Sequence, residues 1–298
     1  MSGHENDGND RPSDTRPYLC MPYWLTPFAP GAKWDDGQIR PLTKVPVVIP
    51  YMCDAIHPGS YTPGEQFDVR VDVLNSGGGN SAVIAIVSVY WAEPTAGFGT
   101  PEFLGSAPVV SPPSPTAPNT ASVTIPVTIP LGSPAHVCLL VSVQHPLDKA
   151  GAVPDPVGNR HWAQRNLMAV AAVTVGPTLV QFAVGNPFGE RAVFNLVVRR
   201  TEMRQARVVA DTLGVQASDV PVALRLRDAR GGLLSRQGRR QVRIQVELEA
   251  RGSLQFQMEA EIGARLPAGQ GIAIEAVLLD PARDGQPVGS LGAVLLGE

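Results

Sequence analysis

Apolar residues recur at every second position through most of this sequence, and that period restricts the fold more than any other feature. In FDVRVDVLN, Phe67, Val69, Val71 and Val73 alternate with Asp68, Arg70 and Asp72. Successive strand side chains point to opposite faces of a sheet, so this segment is a strand with one face in a core and one in water. Val137, Leu139, Val141 and Val143 alternate in the same way with Cys138, Leu140, Ser142 and Gln144, as do Val242, Ile244, Val246 and Leu248 with Arg243, Gln245 and Glu247. Further strands are expected in VPVVIP (a short edge strand), SAVIAIVSVYW, TASVTIPVTIP, NLMAVAAVTV, AVFNLVV, VPVALRLRD, SLQFQMEAEI and GIAIEAVLLD. Turn signals separate these runs, with a closing hairpin around Asp284-Gly285. Thirty glycines and 29 prolines exclude a helix bundle. A helical period occurs once, where Met203, Ala206, Val209, Ala210 and Leu213 precede Gly214, a residue suited to end a helix.

The expected class is all-β: two tandem immunoglobulin-like antiparallel β-sandwiches with an extended N-terminal arm. Residues 1–17 are polar and expected to be a disordered tail. Residues 18–44 form an arm rich in aromatics and proline, holding Tyr18, Tyr23, Trp24, Phe28 and Trp34 between prolines that forbid a regular helix. A first sandwich is expected over 45–177 and a second over 178–298, divided at the strand-breaking pair Gly176-Pro177. Charge divides at the same place, with 9 basic and 14 acidic residues up to Pro177 and an excess of two positive charges after it. In SAVIAIVSVYW both faces are apolar, so something must cover the outer one, and the arm is the expected cover. The proline-rich 106–120 is expected as an extended loop.

Several function classes are set aside by what the chain does not contain. No run of about 18 apolar residues is free of charges and prolines, so no membrane-spanning helix is expected. The start MSGHENDGNDRPSDTR lacks the basic flank and apolar run of a secretory signal, and export by that route is not expected. His4, His57, His136, His145 and His161 show no ligand spacing, so neither a metal nor a cofactor is expected. No nucleophile elbow is present, and the protein is read as not an enzyme; the enzyme alternative would rest on His145 or His161. The glycines at 77–79 have no Lys-Ser/Thr and no helix after them, and are read as a flexible turn. Cys138 is read as a small buried hydrophobe, and Cys20 and Cys53 as the same beneath the arm.

The segment FDVRVDVLNSGGGNSAVIAIVSVYW, with HVCLLVSVQHPLD and NRHWAQRNL, resembles the bacterial CARDB-type immunoglobulin-like domains, cell-adhesion-related modules, over about residues 67–175. The resemblance implies a seven-stranded sandwich that serves as a structural or recognition module without catalytic residues. Together with the polar start, it implies a subunit or accessory of a larger bacterial assembly, such as a phage-like or secreted particle. Docking would use strand addition at exposed edges or insertion of the arm's rings. The partner is then protein, a further copy of the chain included.

The candidate contact residues are Tyr23, Trp24, Phe28, Trp34, Trp162 and Arg165. A bland reading competes for the last pair's segment, with Trp162 plugging the sandwich end and Asn166 satisfying loop backbone. A glycan module is the first alternative, with Trp24, Trp34, Trp91 and Trp162 as stacking faces and Asp35 and Asp36 as acceptors. An anionic partner is the second. From Arg191 to Arg243 there are 12 arginines against four acids, and Arg199, Arg200, Arg204, Arg207, Arg239 and Arg240 are its candidate contacts. Nucleic acid is not expected, because no aromatic residue lies between Leu196 and Leu254 to stack on bases.

Overall fold

The computed structural model describes residues 15–27, 32–45, 48–77, 79–114, 116–134, 136–167, 169–172 (backbone only), 177–235, 237–238 and 240–297. Residues 1–14 of the expected tail, Phe28, Gly176 and Arg239 lie outside them. The chain is nearly all β, with half of it in strands and 6% in helix.

In chain order the strands of the first half are β1 (Leu19–Cys20), β2 (Ile56–Pro58), β3 (Gln66–Asn75), β4 (Val83–Ala92), β5 (Thr95–Ala96), β6 (Glu102–Ser111), β7 (Thr120–Thr128), β8 (Val137–Gln144) and β9 (Trp162–Leu167). In one sheet β3 pairs antiparallel with β7 on one side and with β1 and β2 on the other. The facing sheet has the order β6-β4-β8-β9. The period of two is realised as expected: Val69, Val71 and Val73 of β3 meet Ala85, Val87 and Val89 of β4 and Leu139, Val141 and Val143 of β8 in one core.

The first half ends with β10 (Ala169–Ala172), and the second contributes β11 (Thr178–Gly185), β12 (Ala192–Arg200), β13 (Gln216–Ala217), β14 (Val222–Asp228), β15 (Gln241–Leu248), β16 (Ser253–Ile262), β17 (Gln270–Asp280) and β18 (Gln286–Leu296). They build a sheet β14-β16-β11 and a sheet β10-β18-β17-β12-β15, with a second core between them. The expected helix is α1 (Met203–Thr212); it buries Ala206, Val209 and Ala210 and stops before Gly214, whose φ of +68° suits glycine. The expected β17–β18 hairpin turns through Asp284 and Gly285, both at positive φ, with the Asp280 carboxylate accepting from the Ala282 N–H.

The halves interlock. β5 adds a parallel strand to β11, and β10 lies parallel to β18 from Ala169↔Ala293 to Ala172↔Leu296. Cys138, Leu140, Ala150 and Trp162, from the outer side of the β8–β9 region, join Phe182, Phe194 and Leu278 in the second core. A third cluster seats Ile49, Tyr51 and Met52 between α1 and the β17–β18 face, against Ala206, Val209, Ala273 and Val294.

Four expectations are corrected. The described residues of VPVVIP form no strand: Val45 and Val48 face the first core while Ile49 enters the third cluster, so the segment crosses between cores, and its prolines offer no ladder donors. Residues 106–111 belong to β6, whose outer edge tolerates Pro108 because no neighbour needs that donor. The single strand expected at NLMAVAAVTV is divided: Asn166 and Leu167 end β9, which begins at Trp162, while Ala169–Ala172 form β10 in another sheet, and residues 173–175 lie outside the described ones. The arm does not cover the outer face of β4. It closes the open edge between β1–β2 and β9, where the Met21 N–H donates to the Arg160 carbonyl, the Leu42 N–H to Val157 and the Cys53 N–H to Gln164.

Candidate interaction surfaces

The arm's rings are held inside the chain. Tyr23 and Trp24 are buried in the first core. The Tyr23 hydroxyl donates to the Pro50 carbonyl at 2.9 Å and accepts from the Gln164 N–H at 3.2 Å. The Trp24 indole N–H donates to the Lys33 carbonyl. Beneath them lies Asp35, 1% exposed. Its carboxylate accepts from the Tyr23 and Gly37 N–H groups and takes both ends of the Arg40 guanidinium, at 3.0 and 3.1 Å. Trp34 is half-buried. Trp162 lies within the second core and donates to the Ala150 carbonyl, and Arg165 donates to the Cys53 carbonyl with Asp54 at 3.6 Å. Trp91 is also buried, so a sugar-stacking face built on the tryptophans would have Trp34 alone to offer.

The pair His145 and Asp148 makes no dyad. Their backbones bond each other, and the His145 ring accepts from the Leu147 N–H. Asp148 instead ties the arm to the 145–161 loop: it accepts from Arg160 at 2.5 Å and from the Leu19 N–H at 2.6 Å, and His161 Nε2 lies 2.9 Å away. Burial would raise this carboxyl's pKa, but the hydrogen bonds from His161 and Leu19 and the charges of His161 and Arg160 carry it below the ordinary value. The Arg160 guanidinium also stacks 3.7 Å above the Tyr18 ring. No sequence signal points to this knot, because Leu19 and Asp148 are 129 positions apart. Among the described residues no group of His, Cys, Asp and Glu is gathered to hold a metal ion. The three cysteines are buried free thiols.

His136 is buried at the start of β8, and burial lowers its pKa from 6.5 to about 4. The unfolded chain therefore binds the extra proton first, and stability is lost as pH falls from about 6.5 toward 4. The expected loss approaches about 3 kcal/mol. Urea unfolding at stepped pH checks it, and His136→Leu should flatten the profile over that window.

Four arginines of the rich stretch, Arg191, Arg199, Arg225 and Arg227, pair with acids from outside it. Arg225 and Arg227 grip Glu259 of β16, each at 2.5 Å. Burial opposes ionisation of Glu259, but these two guanidiniums hold its carboxyl below the usual range. Arg199 pairs with the buried Glu275 of β17 at 2.7 Å and faces Val45, Val48 and Pro50 across a crevice of about 270 Å³. Arg191 pairs with Glu247, and Arg200 donates to the carbonyls of Ser218 and Asp219. Arg204 and Arg207 on α1, and Arg240, are exposed and make no ion pair among the described residues. Arg240 lies beside Arg200, whose N–H donates to its carbonyl.

What the structure does expose is apolar. On the outer face of the β6-β4-β8-β9 sheet, the second half covers the β8–β9 side and leaves the β4–β6 side bare. Ile84 stands opposite Val110, each 62% exposed, and Ile86 opposite Pro108. Phe103, 59% exposed, meets Tyr90 edge to face at 5.6 Å, and Tyr90 lies 5.6 Å from Trp162. A row of rings thus runs from the bare surface into the covered interface. The signal was present in the sequence as a strand with two apolar faces; which part of the outer face stays bare was not.

No protein family and no curated protein matches this sequence. Among solved structures, the chain is similar to the CARDB domain of a Pyrococcus furiosus protein in complex with di-metal ions, at 15% identity and a TM-score of 0.25 over 37% of this chain and 80% of that one. It is similar to the collagen adhesin of S. aureus at 8% identity and a TM-score of 0.25, over 81% of this chain and 91% of that one. For a tip adhesin of Pseudomonas aeruginosa the values are 10%, 0.21, 81% and 94%. The sandwich architecture of the present chain stands on its own strand pairing.

Proposed function

We propose that this chain is a non-catalytic interaction protein that docks a partner protein on the outer face of β4 and β6, as a subunit or accessory of a larger assembly. The observation that carries this reading is the bare row Ile84, Val110, Ile86, Pro108 and Phe103. The same sheet face already serves as a protein interface on its β8–β9 side, where the second half sits on Cys138, Leu140 and Trp162. An apolar patch continuous with such an interface is suited to a second protein surface. Its occupant is an apolar protein face, since the patch itself carries no charge to select a sugar or an anion. The resemblance of residues 67–175 to adhesion-related modules agrees with this reading. Among the described residues no helix is long and apolar enough to cross a membrane.

The test compares proteins retained from the source lysate by the native chain and by the variant Ile84→Asp, Val110→Asp, with Leu234→Asp as a control on the second half. Both substituted positions of the variant are exposed, so its melting temperature should stay within a few degrees of the native value. The expected result is a partner retained by the native and control chains and depleted about tenfold by the variant. An identical retained set for all three would remove the patch from the function.

A further inference from the structure

Among the described residues, the sheet β10-β18-β17-β12-β15 ends on one side in a strand paired on a single edge. β10 borders β18 at one edge, but β15 at the other has β12 as its sole strand neighbour among the described residues. The corresponding edge of the facing sheet is treated differently: Leu233 and Gly238 fold back onto Arg227 and Leu224 of β14 and cap it. β15 therefore presents a row of backbone donors and acceptors over eight residues.

The phase of that row follows from its register. The Arg200 N–H donates to the Arg240 carbonyl, and the pairing continues from Arg199↔Gln241 to Ala192↔Leu248. Hydrogen-bonded pairs alternate with non-bonded ones along an antiparallel ladder. Val242, Ile244, Val246 and Leu248 thus use their backbone groups on β12, and Gln241, Arg243, Gln245 and Glu247 turn theirs to the open side. The side chains of these four outward residues are exposed.

We propose that this edge is a self-association surface, and that its occupant is β15 of a second copy of the chain, running antiparallel about a two-fold axis at Gln245. The charges select that partner. Centred on Gln245, the pairing sets Arg243 opposite the second copy's Glu247 and, by symmetry, Glu247 opposite its Arg243. On the other face Ile244 meets Val246 and Val242 meets Leu248, while Gln245 meets its own copy at the axis, so the apolar residues pair with apolar ones and Arg243 and Glu247 pair with opposite charges. A register that placed Arg243 or Glu247 opposite its own copy would put like charges side by side. Arg191 Nε already reaches Glu247 Oε1 at 2.9 Å, which leaves Oε2 for the incoming guanidinium. The contact is isologous and closes as a dimer. It is small beside a standard interface, so the dimer forms at high protein concentration and weakens with salt.

This goes beyond the proposed partner on β4 and β6, and the two fail separately: Ile84→Asp, Val110→Asp should leave the dimer intact. Sedimentation equilibrium on the full chain across a concentration series is the test. Arg243→Glu, which sets Glu opposite Glu247, should raise the dissociation constant at least about tenfold. Gln245→Pro, which removes an outward N–H at the axis, should do the same. The double variant Arg243→Glu, Glu247→Arg restores opposite charges and should restore the dimer. A native chain that is monomeric at every concentration overturns the proposal. So does a dimer indifferent to Arg243→Glu and Gln245→Pro, or a double variant no tighter than Arg243→Glu alone.

Discussion

Replacing Tyr51 with alanine is expected to lower the free energy of unfolding by about 3–5 kcal/mol, the range found when a buried aromatic site is emptied. The ring is fully buried in the small cluster that joins the segment 48–52 to α1 and the β17–β18 face. It packs against Gly292, where any Cβ would collide with it. The Tyr51 carbonyl accepts from the Asn166 N–H of β9, so one residue touches three elements that the chain connects only through long detours. Gly292→Val should destabilise in the same sense, by closing the seat from the other side. Equilibrium unfolding in urea, followed by far-ultraviolet circular dichroism, measures both. A loss under about 1 kcal/mol for Tyr51→Ala would mean the seat refills from its neighbours.

Asp35→Ala is expected to cost a comparable amount, about 3–5 kcal/mol, because it strands the Arg40 guanidinium in the core. The two side chains are 0% and 8% exposed, and the carboxylate also serves the Tyr23 and Gly37 N–H groups, which would lose their acceptor. The asymmetry between breaking a pair and removing it gives the second half of the test. Asp35→Leu with Arg40→Met deletes both charges together and should recover most of what Asp35→Ala loses. A double variant as unstable as the single one would place the cost in the lost Tyr23 and Gly37 bonds instead.

The strands were legible in the sequence because alternation is a local property: Phe67 to Val73 and Val242 to Leu248 declare an inner and an outer face with no knowledge of their neighbours. The helix at Met203 and the turn at Asp284-Gly285 were legible for the same reason. Partnership was not local. Alternation at Val137–Gln144 shows that Cys138 and Leu140 share a face, but not that residues more than forty positions later would bury it. The arginine excess between Arg191 and Arg243 is legible as a count, but not the return of Glu259 and Glu275 from later strands to three of those arginines. The candidate rings Tyr23 and Trp24 need a surface, and Trp162 goes into the second core. For Tyr23 and Trp24 that surface is the first sandwich's own edge, since an open sandwich edge and a string of apolar rings satisfy each other at short range. The bare β4–β6 face could be read as a strand apolar on both sides, and its location had to wait for the fold.

The crossing of β5 and β10 into the second half has a consequence for how the molecule is made. The edges of β11 and β18 are completed by residues 95–96 and 169–172, which leave the ribosome before either of those strands exists. Synthesis therefore presents the earlier half as a template whose β8–β9 face is bare, and β18, which emerges more than a hundred residues after β10, pairs with a neighbour already made. A nascent chain stalled between residues 172 and 286 would hold that unfinished face in water, where recruiting another chain competes with completing itself.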